Sequence, residues 1–125
     1  MRLFQVDAFN NQFFSGNPAA VVPLDSWISN DLMQAIAEEN NLSETVFFVP
    51  NGKDFDIKWF TPTCEIDLCG HATLAAAHIL FTEMNYSRDE LIFNSKSGKL
   101  RVSKDQGWYA LNFPSEDVKE IKIPD

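Results

Sequence analysis

The sequence is poor in the residues that disulfide-stapled, nucleic-acid-binding and membrane proteins depend on. Only two of the 125 residues are cysteines, too few for the disulfide framework of a small secreted domain. Ten lysines and arginines stand against 18 aspartates and glutamates, a net charge of −8, with no basic stripe to neutralise a phosphate backbone. No apolar run is long enough to span a bilayer, and no signal-peptide core is present. We therefore expect a cytoplasmic protein that binds neither nucleic acid nor membranes.

The chain does contain enough apolar material for a packed core. Hydrophobic residues make up 45% and charged residues 22% of the sequence, the composition of an ordinary globular protein. A length of 125 residues corresponds to one domain. We predict a single domain over residues 1–125.

Most segments show the period-two alternation of β-strands. Apolar and polar side chains alternate over residues 4–8, 55–59 and 108–113. The runs at 19–24 and 45–50 are continuously apolar and rich in β-branched and aromatic residues, which predicts strands covered on both faces.

Glycine-containing dipeptides predict the turns between these strands. Asn51-Gly52 predicts a hairpin with a type I′ turn, because both residues tolerate a positive φ. Ser97-Gly98 and Gln106-Gly107 predict two further turns in a C-terminal meander. Residues 117–125 are interpreted as a connection.

Two segments have the character of helices. Ser29 can cap a surface helix that carries Leu32, Met33, Ile36 and Ala37 on one face and ends at Asn40-Asn41. The second segment, residues 70–84, carries no charge before Glu83 and is apolar nearly all round, so it must be buried. Its small alanines permit close approach of strands. We predict an α+β fold in which a mixed, mostly antiparallel sheet rolls around this central buried helix.

The N-terminus of the buried helix is a candidate binding site. Free backbone N–H groups and the helix dipole favour a carboxylate or phosphate there, and Gly70 leaves room for it. The dipole should lower the pKa of His71, leaving a neutral imidazole able to exchange protons. The alternative is a histidine satisfied by a core hydrogen bond. His78, within the apolar body of the helix, is interpreted as structural.

Two acidic residues are weaker candidates. Glu44 lies between a polar loop and an apolar strand, where burial would raise its pKa into a range useful for proton transfer. The alternative is a solvated loop acid. Asp67 precedes the buried helix and could orient the adjoining loop.

The cysteines and histidines do not form a recognisable zinc motif. Cys64, Cys69 and His71 have the spacing C-x4-C-x-H, which matches no closed zinc site, and His78 is too far along the helix to join them. A disulfide between the cysteines is not expected in the cytoplasm. Cys69 remains a candidate nucleophile or proton carrier, because a helix N-terminus stabilises its thiolate.

Five segments, in order and spacing, resemble the phenazine-biosynthesis PhzF-like isomerases, whose fold is that of diaminopimelate epimerase. They are VDAF at 6–9, GNPAAVV at 16–22, NLSET at 41–45, WFTP at 59–62 and LCGHAT at 68–73. The resemblance implies two similar halves, each a sheet around a central helix, with the active site in the cleft between them. It also implies that no metal or organic cofactor is used.

The resemblance assigns roles to individual residues. Glu44 becomes the acid/base that moves a proton between carbons of a small carboxylate substrate. Gly70 and His71, with Ala72 beside them, become the residues that bind and orient the substrate carboxylate, and Asn17 lies in the adjoining wall. The family's catalytic aspartate belongs to a C-terminal half that has no counterpart here.

The sequence therefore leaves three hypotheses open. The first is the N-terminal half of a biosynthetic isomerase, completed by a C-terminal half or by a second copy across an exposed wall that includes Phe47 and Trp59. The second is a racemase or epimerase that uses Cys69, which stands where related epimerases carry a catalytic cysteine. The third is a catalytically inert assembly or binding module.

Overall fold

The computed structural model describes residues 1–7, 10–11, 14–15, 18–114 and 118–123. Its elements, in chain order, are β1 (Phe4–Val6), β2 (Asn10–Asn11), β3 (Phe14–Ser15), β4 (Ala19–Pro23), α1 (Asn30–Asn40), β5 (Glu44–Asn51), β6 (Asp54–Phe60), β7 (Glu65–Ile66), α2 (Gly70–Thr82), β8 (Glu90–Ser95), β9 (Gly98–Asp105), β10 (Trp108–Asn112) and β11 (Val118–Lys122).

Within these residues, nine strands form one mixed sheet that curls into a half-barrel carrying two helices. The strand order is β1-β4-β5-β6-β8-β9-β10-β11, with β7 paired to β6. Among the described strands of this sheet, only the β4–β5 and β6–β8 pairs are parallel. The mixed, mostly antiparallel sheet is confirmed.

The centre of the sheet is covered on both faces, as its continuous apolar strands predict. Val46 and Phe48 of β5 pack in the larger core cluster with α2, whereas Phe47 points the other way and packs with Met33 of α1. Nine residues of α2 are buried, in keeping with its nearly uniform apolar sequence. No helix in the described part of the chain combines the length and apolar character needed to cross a membrane.

Helix α1 begins and ends where the sequence predicts. The backbone N–H of Leu32 donates to Ser29 Oγ over 3.1 Å, and Asn41 closes the helix in the left-handed conformation with φ 52°. The predicted apolar face is too wide, however. Leu32 is 46% exposed, because Met33 and Ala37 form the buried contact with the sheet.

The hairpin after β5 is confirmed, but its turn differs from the prediction. Asn51 is still paired in the sheet, opposite Asp54, so Gly52 and Lys53 form the loop. Only Gly52 has a positive φ, 64°, which is the pattern of a type II′ turn. The type I′ pattern occurs instead at Gln106-Gly107, with φ values of 44° and 89°.

Two further expectations are wrong. Most of the segment interpreted as a connection is strand β11, which pairs antiparallel with β10 and extends the meander. Phe47 and Trp59 do not lie on an exposed wall, because they are 0% and 1% exposed within the domain's own core.

Candidate functional site

Three predicted side chains meet where the N-terminus of α2 lies beside the start of β5. Glu44 Oε2 lies 2.6 Å from His71 Nε2, and Cys69 Sγ lies 3.6 Å from His71 Nδ1. The three groups fall within 4.8 Å of one another. The imidazole of His71 is therefore held between a carboxylate and a thiol.

The sheet places Glu44 at this end of the molecule. Strands β4 and β5 are parallel, with Ala19 opposite Glu44, so both strands begin at the same edge. The next residue of β5, Thr45, is fully buried and accepts a 3.3 Å hydrogen bond from Asn40 Nδ2 at the end of α1. Glu44 is thus fixed by the strand on one side and by the preceding helix on the other.

The helix end brings Cys69 and His71 to the carboxylate. Cys69 is the N-cap residue of α2, with extended φ and ψ of −145° and 107°, and its side chain makes no capping hydrogen bond. The thiol is directed at His71 instead. Since the first N–H groups of a helix have no acceptor within it, the backbone at Gly70 presents donors suited to an anion.

The charge state of His71 is the reverse of the prediction. Its hydrogen bond with Cys69, and then its contact with the carboxylate of Glu44, raise the pKa of His71 to about 10, while partial burial opposes the rise. The side chains of His71 and Glu44 are 12% and 15% exposed, so solvent reaches only part of the pair. These contacts favour the imidazolium form of His71. The expectation for Glu44 stays a prediction.

The remaining predicted binding residues have different surroundings. Asn17 lies outside the described residues. Gly70 opens α2 as expected, but Ala72 is 0% exposed in the core, so only its backbone can face a ligand. Asp67 is exposed and stands apart from the cluster; its carbonyl accepts a 2.8 Å hydrogen bond from Ser97 Oγ.

His78 makes the contact expected of a structural histidine. Its Nδ1 lies 2.7 Å from the hydroxyl of Tyr109, and burial lowers the pKa of the imidazole.

The cluster is explained by hydrogen bonding and ion pairing. The thiol of Cys69 approaches Nδ1 of the imidazole and the carboxylate of Glu44 approaches Nε2, so the two groups use different ring nitrogens. Cys64 is an exposed free thiol, whereas Cys69 is buried and free.

Two residues that sequence reasoning missed support the site. Thr73 Oγ1 and the Thr73 N–H donate to the carbonyl of Cys69 over 2.7 and 3.1 Å, and the indole N–H of Trp59 donates to Thr73 Oγ1 over 3.0 Å. Both side chains are buried. One sequence feature could have pointed to them: Trp59 lies in WFTP and Thr73 in LCGHAT, two of the segments that carry the family resemblance.

Solved structures with the same fold define the class. A PhzF-family protein from Enterococcus faecalis superposes with a TM-score of 0.81 at 50% identity, covering 87% of this chain and 42% of that one. A predicted epimerase from Pseudomonas aeruginosa superposes with a TM-score of 0.71 at 25% identity, covering 88% of this chain and 42% of that one. The fold is that of PhzF and diaminopimelate epimerase-like proteins.

The sequence comparison identifies the family. The phenazine biosynthesis-like protein family model matches residues 6–122, and the chain belongs to this family. An uncharacterized isomerase of Pseudomonas aeruginosa is 47% identical over 125 residues, all of this chain and 48% of that protein. The chain spans about half the length of the curated relatives it matches.

Proposed function

We propose that this chain is the acid/base half of a PhzF-like isomerase that moves a proton between carbon atoms of a small carboxylate-bearing metabolite. The reaction belongs to a biosynthetic process in the cytoplasm and needs no cofactor. We also propose that the sheet rolls around α2 as its central helix. The observation that carries it is the 2.6 Å contact between Glu44 and His71 at the N-terminus of α2.

Each group has a distinct task in this mechanism. The carboxylate of Glu44 removes a proton from one carbon of the substrate, and the resulting carboxyl group, whose proton can exchange with solvent, delivers a proton to another carbon. The product is therefore an isomer, and no electrons are lost or gained. The imidazolium of His71 and the N–H groups at Gly70 bind the substrate carboxylate and stabilise negative charge that develops when the proton leaves. Asn17, which lies outside the described residues, keeps the substrate-binding role that the resemblance gives to its GNP motif.

Deuterium exchange tests the proposal without knowledge of the substrate. The chain is mixed in D2O with a panel of small carboxylic acids and the C-terminal half of the 47%-identical uncharacterized isomerase of Pseudomonas aeruginosa. Deuterium incorporation into each acid is followed by mass spectrometry. We expect exchange into at least one acid, reduced at least about a hundredfold by Glu44→Gln because general acid/base transfer is lost.

The matched control is Glu39→Gln, which removes the same charge from an exposed position on α1. This control should exchange at the wild-type rate. Exchange that persists in Glu44→Gln contradicts the catalytic assignment. Saturable binding of an acid without any exchange would instead favour the inert binding module.

A specific contact supports an epimerase as a second candidate. Cys69 Sγ lies 3.6 Å from a nitrogen of the same imidazole, so its thiolate, stabilised by the imidazolium, could remove a proton from a carbon next to a carboxylate and become a thiol. In that mechanism, Cys69→Ser abolishes exchange at the α-carbon. Exchange that survives Cys69→Ser but is lost in Glu44→Gln favours the isomerase.

A further inference from the structure

The hydroxyl of Thr73 joins the sheet to the end of α2 that carries the site. An indole N–H can only donate and a carbonyl can only accept, so the hydrogen-bond directions are fixed. Trp59 Nε1 donates to Thr73 Oγ1 over 3.0 Å, and Thr73 Oγ1 donates to the carbonyl of Cys69 over 2.7 Å. Thr73 and Trp59 are 0% and 1% exposed, so water cannot replace either bond.

This chain of bonds holds the cap residue by its backbone. An N-cap side chain ordinarily accepts a hydrogen bond from the first turn of its helix. Cys69 makes no such bond, and its thiol contacts His71 Nδ1 instead. The carbonyl of Cys69 accepts from both the N–H and the hydroxyl of Thr73, which fixes the residue and leaves the thiol available to the imidazole.

Trp59 connects the same hydroxyl to the strand that carries the base. Trp59 lies on β6 opposite Val46 of β5, two residues beyond Glu44. The distance between Glu44 and His71 therefore depends on two supports that meet at Thr73: the β5–β6 ladder and the first turn of α2.

We propose that Thr73 is a positioning residue, anchored by Trp59, that holds the N-terminal turn of α2 in the orientation in which Cys69, His71 and Glu44 contact one another. Thr73 reaches the reacting groups only through Cys69 and the helix backbone. The effect of Thr73 on turnover rests on the proposed isomerase function, whereas its effect on the contacts between Cys69, His71 and Glu44 does not.

Imidazole NMR tests the geometry directly, because His71 and His78 are the only histidines. The titration of both rings is followed in the wild-type chain, Thr73→Val, Thr73→Ser and Trp59→Phe. Valine keeps the shape of threonine and removes the hydroxyl, whereas serine keeps the hydroxyl. Thr82→Val is the matched control, since Thr82 Oγ1 donates to the carbonyl of His78 over 2.6 Å at the other end of the same helix.

We expect Thr73→Val to lower the titration midpoint of His71 by roughly one pH unit or more, because the contacts that favour the imidazolium loosen. Trp59→Phe should have a smaller effect in the same direction. Thr73→Ser should retain most of the wild-type midpoint, and Thr82→Val should leave it unchanged.

The outcomes separate this proposal from the proposed function. A wild-type midpoint in folded Thr73→Val, or an equal shift in Thr82→Val, contradicts the positioning role. If Thr73→Val does not fold, Trp59→Phe decides the question by the same criterion. In the mixture with the C-terminal half, Thr73→Val should lower kcat about tenfold, with little change in KM, for whichever acid of the panel shows deuterium exchange with the wild-type chain. A shifted midpoint with no turnover in any variant, wild type included, would reject the isomerase and leave the positioning role in place.

Discussion

Two neighbouring side chains determine the protonation of His71 more strongly than the helix to which it belongs. A helix N-terminus disfavours a positive charge by about 0.3–1 kcal/mol, which is less than one pH unit. A thiol at 3.6 Å and a carboxylate at 2.6 Å act in the opposite direction and prevail, so the pKa rises from 6.5 to about 10. The helix dipole is a correct but minor contribution.

We predict that this ion pair makes the stability of the chain depend on pH above neutrality. The pKa of His71 is raised in the folded state, so its stabilisation is complete below about 6.5 and is lost as the pH rises towards about 10. We expect about 1–3 kcal/mol, less than the full shift would give because solvent reaches part of the pair. Urea unfolding of the wild-type chain and His71→Gln at pH 6.5, 8 and 10 measures the difference, which should shrink with pH.

His78→Gln is the control for this experiment. Burial lowers the pKa of His78, so its contribution to pH dependence falls below pH 6.5, outside the window. A difference between wild type and His71→Gln that stays constant from pH 6.5 to 10 would contradict the assigned charge state.

Local sequence identified Glu44, Cys69 and His71, but not how they are joined. Glu44 reaches His71 only because two parallel strands start at one edge, and no local pattern reports that register. Buried Thr73 and Trp59 look like ordinary core residues in sequence, since their role lies in two hydrogen bonds that meet at the hydroxyl of Thr73. Residue types therefore predicted the members of the site, whereas tertiary contacts determined its electrostatics.

At the scale of elements, α2 shows what apolar composition can and cannot predict. Nine of its residues are buried, in keeping with the absence of charge before Glu83. The turns were harder to predict, because the register of a hairpin decides which residues form its loop. Asn51 could have entered a type I′ turn, but its pairing with Asp54 keeps it in the strand.

We predict that the core around α2 has room only for small side chains at the alanine positions of this helix. Ala76 is 0% exposed, so Ala76→Leu forces extra methylene groups into a closed core and should cost about 1–3 kcal/mol of unfolding free energy. Ala35→Leu makes the same change at an exposed position of α1 and should alter stability by about 0.5 kcal/mol or less. Urea denaturation compares the two. Equal effects would show that the space around α2 is not restrictive.

At the scale of the whole molecule, the surface left for a partner differs from the one expected. Phe47 and Trp59 are buried, so the exposed large apolar side chains include Leu68, close to the N-terminus of α2, and Trp108 of the meander. These residues do not establish a partner, and the C-terminal half and the second copy both stay proposals. The cytoplasmic location also stays a prediction.

We predict that the chain self-associates only weakly and that activity requires a C-terminal half. Two copies each carrying a charge of −8 repel one another, so association should increase when salt screens that charge. Sedimentation at high protein concentration should show dimers at high salt and fewer at low salt; a strict monomer in both would exclude the homodimer.

Deuterium exchange by the chain alone should be negligible beside exchange by the mixture, since a second copy repeats Glu44 and His71 without adding the family's aspartate. Rapid exchange by the chain alone would mean that its own residues suffice for the reaction.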